Sequence, residues 1–81
     1  MPTIHRPGPY RIYFFSNEGK DPPHVHVDRE GMTAKFWTQP VSLAYNLGFK
    51  AHELTRLELL VAENQGRYLE AWHEYFGTQG R

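Results

Sequence analysis

His24-Val25-His26-Val27, held between Pro22-Pro23 and Asp28, is the segment of this 81-residue chain whose residue types and spacing can do chemistry. Valine favours extended backbone and strand side chains alternate, so His24, His26 and Asp28 share one face and Val25 and Val27 the other. Two neutral imidazoles on one face can bind a metal ion. A carboxylate such as Asp21, Asp28 or Glu18 would complete the shell, which makes His24, His26 and Asp28 the metal candidates and a divalent metal the implied cofactor. Closed zinc sites take four ligands, however, and the chain has no second HxH and no HxxxH pair. The same histidines can instead serve as general base and acid of a nuclease or hydrolase. His24, His26, Glu18 and Arg11 are then the catalytic candidates, with Lys20, Lys35 or Tyr13 helping Arg11 to stabilise a phosphorane. The structural alternative is that both imidazoles face solvent or stack on aromatic rings.

Composition narrows the partners. Nine Lys plus Arg balance nine Asp plus Glu, so total charge does not predict strong capture of nucleic acid or of an anionic membrane. A nucleic-acid-binding regulator would have to gather Arg6, Arg11, Lys35 and Arg56 around the sheet. The absence of cysteine excludes disulfides, thiolate zinc sites and thiol catalysis, and suits a reducing cytoplasm. Met1-Pro2-Thr3-Ile4-His5-Arg6 has no apolar signal core and no apolar run reaches spanning length, so a cytoplasmic protein without a membrane partner is expected.

The elements that must position these residues read as one small domain over residues 1–81, with room for a single core. Arg6-Pro7-Gly8-Pro9 cannot be helical, and the β-branched and aromatic run from Tyr10 to Phe15 is a strand. The loop from Ser16 to Pro23 leads into a second strand, His24 to Asp28. Arg29-Glu30-Gly31 reads as a hairpin loop returning the chain as Met32 to Trp37. After Thr38-Gln39-Pro40, Val41 to Tyr45 is a fourth strand, ended by Asn46 and Gly48. From Lys50 the period becomes helical: Leu54, Leu57, Val61, Tyr68, Trp72 and Phe76 form a stripe that Leu60, Leu69 and Tyr75 widen. Asn64, Gln65 and Gly66 weaken its middle, so the choice is between two helices joined at a bend and one helix of about 27 residues, about 40 Å long; the expectation is the single helix, continuous or gently bent near Gly66.

The expected fold is therefore α+β, a three- or four-stranded antiparallel sheet packed by a long C-terminal helix. Such a helix overhangs strands of about 20 Å, and a dimer or another partner would cover the excess. Tyr68, Trp72, Tyr75 and Phe76 are the partner-binding candidates, with plain core packing as the alternative. Glu53 and Glu58 beside Arg56, and Glu70 with His73 and Glu74, read as a solvated helical face.

Met1-Pro2-Thr3-Ile4, the strand from Gly8 to Phe15, Ser16-Asn17-Glu18, Pro22-Pro23-His24-Val25-His26-Val27, Ala34-Lys35-Phe36-Trp37, Gly48-Phe49 and Leu69-Glu70-Ala71-Trp72 together resemble the bacterial family known as domain of unknown function 4160. PPHVHV is the most specific part of the resemblance, which covers nearly the whole chain. It implies a small protein of toxin–antitoxin-like context that acts through a protein partner. It carries no catalytic assignment.

Overall fold

The computed structural model describes residues 3–77; Met1 and Pro2, which contribute to the family resemblance, lie outside them. Five strands, β1 (Thr3–His5), β2 (Arg11–Tyr13), β3 (His24–Arg29), β4 (Met32–Thr38) and β5 (Val41–Leu47), form one antiparallel sheet in sequence order. Two helices follow, α1 (Ala51–Glu63) and α2 (Gln65–Phe76). The α+β class and the antiparallel sheet stand, but there are five strands rather than three or four, and two helices rather than one long one. The strand missing from the sequence reading is β1, three residues cut off from β2 by Pro7-Gly8-Pro9 and too short to show a period.

Register fixes which side chains share a face. Ile12, Val27 and Ala34 lie side by side, as do Val25 and Phe36. All five are buried in one core with Phe49, Leu57, Val61 and Tyr68, so the helices cover the valine face. His26 stands between Tyr13 and Lys35, and His24 beside Trp37, on the face away from that core. The β3–β4 connection is tight: Arg29 pairs with Met32, and Glu30 (φ 51°) and Gly31 (φ 84°) make the two-residue turn. Positive φ at both central residues matches the strand twist, and glycine takes it at no steric cost.

The helical stripe breaks at Asn64, not at Gly66. Asn64 Nδ2 donates to the Leu60 carbonyl at 2.9 Å, so its side chain competes with the backbone ladder. Gln65 Nε2 then donates to the Thr38 carbonyl at 2.7 Å and ties the corner to the end of β4. With the rod broken, α1 and α2 both lie on the sheet.

Glu53 also departs from the solvated helical face expected of it. It is 7 % exposed, and Arg29 grips it bidentately, Nε to Oε2 and Nη2 to Oε1 both at 3.0 Å, while the Tyr10 hydroxyl donates to Oε2. This cluster locks α1 to the sheet at the end remote from His24. A cavity of about 580 Å³ opens beside it, lined by Arg29, Lys50, His52, Glu53 and Arg56 among others. No helix among the described residues is long and apolar enough to cross a membrane.

Candidate metal centre

The helices cover mainly the valine face of β3, with α2 reaching the histidine face through Trp72, yet His24 is 1 % and His26 3 % exposed. The loop between β2 and β3 folds back over it and brings Glu18 against both rings. His24 Nε2 lies 2.9 Å from Glu18 Oε1, and His26 Nε2 lies 3.1 Å from Oε2. One ligand atom from each of the three residues falls within 4.8 Å of the other two. The imidazoles therefore do not face a solvated surface. They are sealed by rings: His26 stacks on Tyr13 at 5.2 Å and meets the edge of Phe15 at 4.9 Å, while His24 contacts Trp72 at 4.9 Å and Trp37 at 5.7 Å.

The carboxylate that arrives is Glu18, not Asp28. Asp28 does share the histidine face, but it sits two residues further along and accepts a hydrogen bond from the Tyr13 hydroxyl at 3.0 Å. Asp21 is exposed. Of the other candidates, Arg11 lies over the Tyr13 ring and donates to Thr3 Oγ1, and Lys35 lies over the Trp37 ring. Neither cation reaches the cluster by a hydrogen bond or an ion pair. Arg56 lines the cavity beside Arg29 and Glu53. Among the partner-binding candidates, Tyr68 and Trp72 are buried, Phe76 is partly buried, and Tyr75 is 52 % exposed.

Proton positions follow from who can accept. His24 Nδ1 is 2.9 Å from the Pro22 carbonyl oxygen, which only accepts, so Nδ1 carries the proton. In neutral His24, Nε2 then presents a lone pair to a carboxylate. Despite the short distance, that nitrogen lacks the alignment for a hydrogen bond and is buried without a hydrogen-bond partner. Glu18 is better served elsewhere: its Oε1 accepts from the Phe15 N–H at 2.9 Å. Burial pushes its carboxyl up, but the hydrogen bonds it accepts from the Phe15 N–H and the His26 ring outweigh it, and the net direction is down. Burial likewise holds His26 below the ordinary imidazole value, with Glu18 pulling the other way.

These directions set a pH dependence. The folded chain resists protonation of His26, whereas the unfolded chain takes up that proton near pH 6.5. The unfolded state thus binds more protons, and stability falls as pH drops below that value. Glu18 adds to the same trend below pH 4.5. The urea midpoint of the metal-free protein is expected to decline from about pH 7 to pH 5, and less so in His26→Gln. A midpoint that rises on acidification contradicts this assignment.

A small α+β domain, with two strand histidines and a loop carboxylate closed together on the face of an antiparallel meander opposite its main core, is the class that fold and site define. The chain belongs to the family described as domain of unknown function (DUF4160), whose model matches residues 10–73, a span that includes Glu18, His24 and His26. No curated protein and no solved structure matches it.

Proposed function

We propose that this protein binds a divalent transition-metal ion through Glu18, His24 and His26. The observation that carries the reading is the state of His24. Its Nδ1–H is held by a main-chain carbonyl, and its buried Nε2 points, without a hydrogen bond, into the space shared with Glu18 and His26. A ligating histidine is held in this way, by donating its other ring N–H to a backbone carbonyl. His26 needs one change, loss of the proton that its Nε2 directs at Glu18, which metal binding drives. Two imidazoles and a carboxylate suit zinc, iron(II), nickel and manganese, and three protein ligands leave a position for water. Metal-bound water is a nucleophile near neutral pH, which extends the reading to hydrolysis.

The experiment is metal analysis of protein purified without a histidine tag, followed by titration with zinc, nickel and manganese. One ion per chain and a raised melting temperature are expected. Absence of metal together with no thermal shift with any of the three sinks the reading.

A second reading, docking of a protein in a toxin–antitoxin-like pair within a reducing cytoplasm, is favoured by edge strand β5. It exposes Leu43 (42 %), Tyr45 (43 %) and Leu47 (63 %) and has no charged residue. Co-purification with the product of a short gene encoded beside its own, as the family resemblance implies, tests it, and a clean monomer with no partner in pull-downs opposes it.

A further inference from the structure

The three ligands owe their positions to different parts of the chain. His24 and His26 stand on a strand paired on both sides, so the sheet places them. Glu18 stands on a loop with local bonds of its own: Glu18 N–H to the Phe15 carbonyl at 3.2 Å, and Asp21 N–H to the Glu18 carbonyl at 3.0 Å. Those bonds shape the loop without saying where it sits over the sheet.

The neighbouring residue meets the end of α2. Gly19 lies so close to the Phe76 ring that a Cβ built on it comes 2.6 Å from Cδ1, and 3.2 Å from both Cγ and Cε1. Phe76 in turn packs on Trp72 at 4.4 Å and on the buried ring of Phe14 at 5.2 Å. Trp72 lies 4.9 Å from His24. One run of rings from the end of α2 therefore touches the Glu18 loop on one side and a histidine ligand on the other.

We infer that Phe76 is a positioning residue of the metal centre: the last turn of α2 sets where the Glu18 carboxylate stands relative to the two imidazoles. The inference rests on the metal reading above. It makes metal binding and docking of the end of α2 reciprocal, each strengthening the other.

Cobalt(II) and zinc titrations of the whole chain, in competition with a chromophoric chelator, test it. Phe76→Ala is expected to lower affinity about 10- to 100-fold, the range for losing a group that orients a ligand, and Phe76→Leu to recover most of it. Gly19→Ala approaches from the other side. Its backbone is outside the left-handed region, so the new methyl strains only the ring contact, and affinity falls with the fold retained. In a Glu18→Gln background Phe76→Ala is expected to cost nothing further, and the cobalt spectrum of Phe76→Ala to resemble that of Glu18→Gln. If the native chain binds no metal, the reading of the centre itself fails. If it binds, and both Phe76→Ala and Gly19→Ala stay within about twofold of it, the centre stands and the positioning role is overturned. An equal loss from Phe76→Ala with and without Glu18 overturns it too, because general loosening then explains the effect.

Discussion

Glu18→Gln is expected to weaken metal binding by at least about a hundredfold, the upper end of what losing an outer-shell partner costs, since here a proposed ligand itself is changed. The substitution keeps side-chain length and shape. Its amide oxygen can still accept from the Phe15 N–H that now holds Oε1, so the loop keeps its local anchor. What disappears is the negative charge between two buried imidazoles, and with it the anionic donor a divalent ion needs in a site walled by aromatic rings. Competition titration measures the loss, and thermal melts of the metal-free proteins serve as the control for folding. An affinity within a few-fold of the native chain removes Glu18 from the ligand set and leaves only a pair of histidines. Such a pair is too small a shell to hold an ion tightly.

Phe36→Ala is expected to have the largest effect on stability. Phe36 is fully buried at the centre of the sheet, between Val25 on β3 and Leu43 on β5, within the core beneath both helices. Truncating such a ring loses its transfer free energy and leaves a cavity, at about 3–5 kcal/mol. A domain of this length holds about 4–12 kcal/mol in all, so the variant sits near its unfolding midpoint. The melting temperature is expected to fall by about 15–30 °C. Leu47→Ala is the contrast: at 63 % exposure it should change stability by no more than about 0.5 kcal/mol. A Phe36→Ala melting point within about 5 °C of native would mean that the core has repacked or is not where the fold places it.

Much of this was legible in local pattern. The alternation in His24-Val25-His26-Val27 separates core from site correctly, because a strand with one buried face allows only one register. Leu57, Val61, Tyr68 and Trp72 fall at helical spacing and all four are buried. The failures lie where a distant residue decides. Gly66 looks the weaker helix former, yet the break sits at Asn64, whose side chain can bond its own backbone and whose neighbour Gln65 finds the Thr38 carbonyl. Glu53 reads as a solvated residue until Arg29 is brought to it by the sheet. The strand period favours Asp28 over Glu18 and Asp21 as the third carboxylate, and it is Glu18 that the loop brings to the two imidazoles. The signal that ranks Glu18 first is the run of loop-formers from Ser16 to Pro23, long enough to fold back over the strand it precedes.

The bond from His24 to the carbonyl of Pro22 has an evolutionary side. A carboxylate that orients a ligating histidine can be lost in a single substitution, whereas every residue at position 22 brings a carbonyl with it. Pro22 and Pro23 fix that carbonyl's direction by restricting the backbone on both sides. The orientation of His24 is thus inherited from the main chain. A change at position 22 or 23 loosens that carbonyl's direction without removing the acceptor, so His24 keeps a main-chain partner for Nδ1 through substitutions that would delete a side-chain one.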